Sequence, residues 1–558
     1  MKSISVMAVH IQCWAKTVQG RRVFLISNAL LLCIAIALVF FLGHLYGTRY
    51  YTVWPDETLF SDIAEEFVTH GIFGAPSFDS NGLRMSEKTY FMPPLYPLSM
   101  AAWFRFFSPT IANARVLSNL FGTGCLVIIF LLALKFRRNS LLAGIIVLCL
   151  ALDTSFVSMF NFARPDILAL TFSFLAVLVY FSGLAEDGKM SRCRFLIAWM
   201  IASAGMLTHP IGGAIGFLTI PIHLFLTNRH VRRDFQVWGI LAAVPMVALL
   251  LWGLYIVQDV DTLRAQFFDW QTMRKTSRYT GLGSYLWIFA LTFLNYGAGG
   301  TEILGPGPIS TILTIVIGLR SLTETDLRRP SLLVLILTFV SAFVVYYGKE
   351  GMYPPLRLPA FYLAFILCVP TPHEMTSLLK PAQTGGIRFI RNIFIAATPL
   401  LVLASFFARS CLSTRIILRE VNGPERSVAY DPSTLARQII ANTAPNSSLA
   451  IKLFPDCYDI LIHSGYFKTV RQLSYHSLSR ENLVRHVLSN DYLAITYSAL
   501  EPRTPGRLID FSKPNWGGSM YREIAKRYYH LKKEIVLPGG GTTLLYQRNN
   551  WRTLPRSE

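Results

Sequence analysis

The chain has 558 residues, of which 53% are hydrophobic and only 15% charged, and its mean hydropathy is +0.43. A soluble protein of this length does not need so apolar a composition, which therefore favours a polytopic membrane protein. The net charge of +20 requires no nucleic acid as a partner, because basic loops that orient membrane helices and meet membrane lipids account for much of it. The eight cysteines form no C-x-x-C pair, so neither a disulfide framework nor a zinc site is indicated.

The first 22 residues are basic without an acid, and the apolar run that follows lacks a small-residue cleavage site. This pattern predicts a cytoplasmic N-terminus and a signal anchor rather than a removable signal peptide. Further apolar runs follow along the chain to about residue 412 and predict an all-α polytopic bundle of about 11 transmembrane helices plus interfacial helices. The predicted spans are 23–43, 112–134, 141–160, 166–185, 195–208, 211–227, 236–257, 300–320, 331–347, 354–370 and 389–411.

A first outer loop is predicted over residues 44–111, and it is acidic in an otherwise basic chain. Its carboxylates within eleven positions are Asp56, Glu57, Asp62, Glu65 and Glu66.

Pro55 fits the first position of a helix, which places Asp56 and Glu57 in its first turn, where acids favour the helix dipole. That structural reading is sufficient by itself. The apolar stripe of Leu59, Ile63 and Phe67 predicts a helix that rests on the membrane. The Pro-broken apolar stretch 91–107 is expected to lie along the interface rather than to cross.

Counting crossings from the signal anchor places the later basic loops inside, in agreement with the positive-inside rule. The same count brings polar residues at membrane ends to the outer face beside the first loop. Ionisable groups near membrane depth are costly and are functional candidates by default. An interfacial helix end explains Arg164 and Asp166 equally well. The candidates on this face are Arg164, Asp166, His209, Lys349 and Arg357.

The amino-acid composition changes near residue 413, after which no apolar run is long enough to cross a bilayer. Segment 413–558 is predicted to be an extracytoplasmic soluble α/β domain, which we call the tail domain. A helix is expected at 435–442, strands at 448–454 and 492–497, and a hairpin over 534–547 around three glycines. Its basic run around Lys526 and Lys532 is either a binding surface for an anionic glycan or headgroup or a solvated helix face.

Several motifs of the membrane part, taken together, resemble the GT-C glycosyltransferases. They are the outer loop that opens with Asp56-Glu57, the amphipathic helix that ends at Gly71, the aromatic element from Tyr90 to Tyr96, Ala163-Arg164-Pro165-Asp166 and Arg357-Leu358-Pro359. The resemblance covers roughly residues 20–411. It is strongest to the branch with the aminoarabinose transferases (ArnT), the protein O-mannosyltransferases and the RgtA/B/C/D-like enzymes.

This resemblance implies an inverting transferase that moves a sugar from a polyprenyl-phosphate carrier to a lipid, glycan or protein acceptor at the outer face of a bacterial inner membrane. Asp56 would act as general base, and Glu57 would bind the acceptor, orient Asp56 or help to hold a metal. The leaving phosphate needs positive charge, for which Arg164, His209, Lys349 and Arg357 are candidates.

ArnT-like sequences usually have a lysine where this chain has Met92. Either Lys88 or Arg84 takes its place or the late loops hold the phosphate, and aminoarabinose itself is not carried over as the sugar.

No cofactor is required by these motifs, and a divalent metal ion stays open. Asp259-Val260-Asp261 resembles a metal-binding Asp-x-Asp motif, but it follows a membrane span instead of a strand of a nucleotide-binding domain. Two other functions are compatible with the composition. A transporter or flippase of a lipid-linked glycan would place its polar groups near the midplane, often with internal repeats, which this sequence lacks. A sensor or scaffold anchored by the bundle would leave the acidic loop unused.

Overall fold

The computed structural model of the chain describes part of each region. The described residues are 26, 29–42, 55–76, 78, 84–90, 92–137, 140–185, 190–228, 231–269, 313–318, 328–347, 354–369, 432–452, 461, 464–472, 487–497, 524–536 and 542–549. The predicted span 389–411, most of 300–320, Lys349 and the domain boundary near 413 lie outside them.

The membrane part is built of helices. In chain order they are α1 (Ala29–Leu42), α2 (Pro55–His70), α3 (Leu95–Phe104), α4 (Ile111–Arg137), α5 (Ser140–Ala151), α6 (Thr154–Asn161), α7 (Pro165–Ser182), α8 (Arg192–Thr208), α9 (Pro210–Thr227), α10 (Phe235–Ile256), α11 (Val260–Leu263), α12 (Arg328–Tyr347) and α13 (Leu358–Cys368). Within the described ranges, four helices are long and apolar enough to cross a membrane, namely α4, α7, α9 and α10. The chain is a multi-pass membrane protein.

The segment predicted as one span over 141–160 is two helices, α5 and α6. Asp153 lies between them, is 2% exposed, and its carbonyl accepts the hydrogen bond of the Val157 amide. Asp is favoured at the position that precedes a helix, where it ends one helix and begins the next. The Asp153 carboxylate accepts a hydrogen bond from the Tyr362 hydroxyl of α13 at 3.2 Å. The apolar flanks concealed this break from a reading based on hydropathy.

The centre of the bundle is the packing of α7 against α4, α8 and α9. Helices α8 and α9 approach most closely at Gly205 and Gly213, where a Cβ added to Gly213 would overlap the backbone of Gly205. Small residues permit such approach between membrane helices. At the opposite side of α9, the helix packs against α12. Close packing around α7 therefore fixes the position of both of its ends.

The stretch predicted to lie along the interface contains α3, a helix of 10 residues. Ten residues rise about 15 Å, roughly half the hydrocarbon thickness, so α3 is too short to cross. Its buried residues Tyr96, Met100 and Phe104 join a cluster with Phe60 and Ala64 of α2. The helix α3 thus supports one side of α2.

The tail domain contains a five-stranded mixed sheet and a helix. The elements are α14 (Pro432–Ala441), β1 (Ser448–Lys452), β2 (Thr469–Gln472), β3 (Tyr492–Tyr497), β4 (Tyr529–Val536) and β5 (Thr542–Arg548). The strand order is β2-β1-β3-β5-β4, with β1 parallel to β2 and β3, and β5 antiparallel to β3 and β4. The predicted helix, strands and hairpin are confirmed within the described residues.

The prediction that Leu59, Ile63 and Phe67 rest on the membrane is wrong. Leu59 is 5% exposed and Ile63 is completely buried, and both belong to a hydrophobic cluster that includes α14 and the sheet of the tail domain. Phe67 is partly buried against the same cluster. The stripe was read correctly as apolar, but the surface that covers it is protein. The tail domain therefore lies on the same face of the bundle as the first loop.

Candidate active site

The two acids that open α2 have different environments. The Asp56 side chain is 36% exposed, whereas the Glu57 side chain is completely buried. Successive helical residues differ by about 100° in direction, so one acid faces the open side and the other the bundle. Their adjacent positions in the sequence therefore do not give them the same role.

The Glu57 carboxylate accepts hydrogen bonds from groups of the bundle. Arg115 of α4 donates from Nε to Oε1 at 2.9 Å and from Nη2 to Oε2 at 2.8 Å. The backbone amide of Ala163 donates to Oε1 at 2.7 Å. Such a bidentate pair fixes position as well as charge. Of the roles expected for Glu57, the orientation of Asp56 fits this geometry, whereas direct contact with an acceptor or a metal does not, because the carboxylate is enclosed.

Arg164, Asp166 and His209 form a charged network next to Asp56. Arg164 lies at the N-terminal end of α7, and its Nε donates to Asp166 Oδ2 at 2.9 Å. Its Nη1 lies 3.4 Å from Asp56 Oδ2. On the other side, Asp166 Oδ1 lies 3.3 Å from His209 Nδ1, between α8 and α9. The sequence predicted only that these residues share a face with Asp56, and the structure brings Arg164, Asp166 and His209 together beside it from positions more than 100 residues further along the chain.

The network is largely enclosed, with the side chains of Arg164, Asp166 and His209 each 10% exposed. Burial lowers the pKa of His209 below its ordinary value, although the carboxylate of Asp166 opposes this shift. A neutral imidazole can still donate one hydrogen bond to a phosphate. In the expected contact with a phosphate, His209 therefore fits a neutral hydrogen-bond donor better than a cation. Arg164 supplies the positive charge.

The remaining predicted phosphate ligands lie in other places. Arg84 is exposed, with a positive φ of 53°, and Lys88 is partly buried in the same loop. Arg357 is 5% exposed and precedes α13, and the short 3-10 turn Pro354–Arg357 to which it belongs contacts α6. Lys349 is outside the described residues. The structure thus brings Arg164 and His209, but not Arg84 or Lys88, into contact with the Asp56 network.

Asp259 is a helix cap. Its carboxylate accepts hydrogen bonds from the Thr262 amide at 3.0 Å and the Thr262 hydroxyl at 2.9 Å. These bonds, together with the charges of Lys88 and Arg84, lower the pKa of Asp259. The resemblance of Asp259-Val260-Asp261 to a metal motif is explained by capping of α11.

The Asp56 network does not fit a divalent cation. The guanidinium of Arg164 lies within 3.4 Å of Asp56 and 2.9 Å of Asp166, so a metal ion bound by these carboxylates would stand next to a fixed positive charge. In the part of the chain that the structure describes, no group of three or more His, Cys, Asp or Glu side chains is placed to hold a metal ion.

Comparison with known proteins gives similarity in structure alone. No family model matches the chain, and no curated protein is similar to it in sequence. ArnT from Cupriavidus metallidurans bound to undecaprenyl phosphate superposes with a TM-score of 0.58 at 14% identity, over 95% of this chain and 98% of that chain. The apo state of the same ArnT superposes with a TM-score of 0.55 at 14% identity, over 93% of this chain and 97% of that chain. The Archaeoglobus fulgidus oligosaccharyltransferase in complex with Zn and sulfate superposes with a TM-score of 0.51 at 14% identity, over 94% of this chain and 74% of that chain.

This chain has the GT-C fold. The similarity to ArnT extends over nearly the whole of both chains, so the tail domain as well as the bundle takes part in it. The GT-C resemblance noted in the loop motifs of the sequence is therefore confirmed at the level of the fold.

Two residues next to the Asp56 network were missed by the sequence analysis. Arg115 was counted within an apolar span, although a charge in such a span is a functional signal in its own right. Tyr96 was noted only as part of an aromatic element, yet its buried hydroxyl lies 3.1 Å from the Ser118 hydroxyl of α4, one turn beyond Arg115. The signal for Arg115 was present in the sequence. The contact of Tyr96 required the packing of α3 on α4.

Proposed function

We propose that this GT-C protein is an inverting glycosyltransferase that moves a sugar from a polyprenyl-phosphate carrier to an acceptor hydroxyl. The observation that carries the proposal is Asp56, a partly exposed carboxylate held beside an enclosed Arg164. The fold supports the donor class, since the similar ArnT structure was solved with undecaprenyl phosphate. The acceptor is a lipid, glycan or protein that presents a hydroxyl group.

In the proposed reaction, Asp56 takes the proton of the acceptor hydroxyl as its oxygen attacks the anomeric carbon. The bond between that carbon and the carrier phosphate breaks, and the phosphate oxygen keeps the electron pair. Arg164 offsets the negative charge that develops there, and a preorganised donor in an enclosed site is effective at this. Asp166 holds Arg164 in place through the hydrogen bond at 2.9 Å.

The charge distribution of α4 supports a site on the outer face. Arg115 lies in the first two turns of α4 beside the site, whereas Lys135 and Arg137 lie in its last turn. Residues 115 and 137 are about 33 Å apart along the helix, roughly the thickness of the hydrocarbon core. The positive-inside rule places the basic end in the cytoplasm and the Asp56 network outside. We propose that the tail domain lies on the outer side, which in the bacterial inner membrane implied by the loop motifs is the periplasm.

Substitution of Asp56 tests this function. The purified protein would be reconstituted in lipid, its co-purified carrier identified by mass spectrometry, and transfer from the matching phospho-sugar measured. Asp56→Asn removes the base without changing the size of the side chain, and we expect turnover to fall about 10²–10⁴-fold with carrier binding retained. Asp261→Asn at an exposed acid of α11 is the matched control and should keep full turnover.

Unchanged transfer by Asp56→Asn would exclude Asp56 as the base. If the wild-type protein neither co-purifies with a polyprenyl phosphate nor transfers sugar from one, the proposed function itself is wrong. Movement of an intact lipid-linked glycan across the bilayer, without release of sugar, would instead favour a flippase.

A further inference from the structure

The helix that carries Asp56 is held from two sides. On the bundle side, Glu57 binds Arg115 and the Ala163 amide, and Phe60 packs in the cluster that contains α3. On the other side, Leu59 and Ile63 are buried in the cluster shared with the tail domain. Leu59 follows Asp56 by only three positions, which is less than one helical turn. The position of Asp56 therefore depends on both contacts.

The cluster shared with the tail domain, which we call the loop–tail core, draws on distant parts of the chain. From α2 and the loop that follows it come Leu59, Ile63, Phe73, Ala75, Phe78 and Met85. From the tail domain come Leu435, Ala436, Ile439, Leu449, Ile451, Leu461, Val470, Tyr492, Ala494, Ile535 and Leu545. Each of these residues is at most 9% exposed, so the contact is an interior and not a loose surface contact. Interiors of this kind are close-packed and transmit displacement.

The loop between α2 and α3 is itself fixed to the bundle. The Ala75 amide donates to the Met85 carbonyl at 2.5 Å and the Thr89 amide to the Phe73 carbonyl at 2.8 Å, so the two arms of the loop pair with each other. Gln266 accepts from the Tyr90 amide at 2.6 Å. The core thus lies between a loop anchored at residues 73–90 and the sheet.

Two faces of the sheet are covered by different clusters. Leu449 of β1 belongs to the loop–tail core, whereas Leu493 of β3 belongs to a separate cluster with Ile524 and Tyr529 that contains no residue of α2. Both leucines are completely buried, and they are in neighbouring strands. Their environments differ mainly in whether the cluster reaches the helix of Asp56.

We infer that the tail domain is a positioning element of the active site, and that Leu449 and its neighbours in the loop–tail core hold α2 so that Asp56 stays against Arg164. The inference rests on the proposed function and assigns a role to the tail domain within it. Misplacement of a reacting group by about 1 Å can cost on the order of 10²-fold in rate. A cavity in the core lets α2 shift without removing any group of the site itself.

The test compares Leu449→Ala with Leu493→Ala. Both remove the same atoms from an equally buried site in the same sheet, so both should destabilise the tail domain to a similar extent. At a temperature where each remains folded, we expect Leu449→Ala to lower kcat about 10-fold with an unchanged KM for the carrier. Leu493→Ala should keep the kcat of the wild type. If Leu449→Ala does not fold, Leu449→Val makes a smaller cavity at the same site.

Hydrogen exchange of α2 is a readout that does not depend on transfer. Leu449→Ala should speed amide exchange over residues 56–70, and Leu493→Ala should not. Equal effects of the two variants on kcat and exchange would mean that the tail domain adds only overall stability, which overturns the inference. No effect of either variant would overturn it as well. A wild-type protein without transfer but with the exchange difference would refute the proposed function while leaving the mechanical contact established.

Discussion

Replacement of Arg115 by Met should be among the most damaging single changes in the bundle. Glu57 is completely buried and receives two of its hydrogen bonds from this guanidinium. Removal of one partner of a buried ion pair typically costs about 3–5 kcal/mol, because the remaining charge stays in a medium that solvates it poorly. At about 1.4 kcal/mol per factor of ten, the folding equilibrium should change by about 10²–10⁴-fold. Transfer should fall too, since Glu57 also binds the amide next to Arg164.

The assay is unfolding of the purified protein in mixed micelles of rising SDS content, followed by tryptophan fluorescence. Arg105→Met, at an exposed arginine just after α3, is the matched control and should change stability by less than about 0.5 kcal/mol. The double variant Glu57→Leu with Arg115→Met should lose only about 1–3 kcal/mol, because neither charge of the pair is then left buried without the other, although the Ala163 amide loses its acceptor. A loss below about 1 kcal/mol in Arg115→Met would refute the account of this pair.

Two further outcomes follow from the packing of α8 on α9 and from the tail domain. Gly213→Ala should cost about 1–3 kcal/mol in the same unfolding assay, because its methyl group would overlap Gly205, whereas Gly239→Ala in α10 has open space and should be tolerated. In the tail domain, burial opposes ionisation of Asp491, but hydrogen bonds from the amide and hydroxyl of Ser448 outweigh it and lower the pKa of Asp491. Stability from this group is therefore present above the unfolded pKa near 3.8 and is lost as pH falls through the lower folded pKa. Asp491→Asn should flatten the acid limb of a thermal unfolding profile, and an unchanged limb would contradict this assignment.

The sequence was sufficient where one local signal decides the structure. The apolar run of α4 predicted that helix with small errors in its ends, and the short apolar run of β3 predicted that strand with its observed ends. The start of α2 was predicted because Pro55 and two acids mark a first turn. The role of Asp56 as base came only from the GT-C resemblance, and its partial exposure beside Arg164 is known from the structure alone.

The sequence was insufficient where the partner of a surface is distant. The apolar stripe of α2 would look the same whether lipid or protein covers it, and only the fold shows that residues from the tail domain do so. Likewise, adjacent acids could not be assigned to different environments before Arg115 was known to lie behind Glu57. Hydropathy windows average over single residues, which is why Asp153 did not divide the predicted span 141–160.

The loop–tail core also determines when the packing around α2 can be completed during synthesis of the chain. Ile63 and Leu435 share this core, but the bundle helices α3 to α13 lie between them in the sequence. At roughly 5–20 residues per second, a ribosome needs on the order of tens of seconds to synthesise the intervening chain. During that interval α2 exposes its apolar stripe without its final cover. The packing around the helix of Asp56 is thus completed only after the sheet has emerged, and a nascent chain arrested before the tail domain would present a membrane bundle in which this helix lacks its cover.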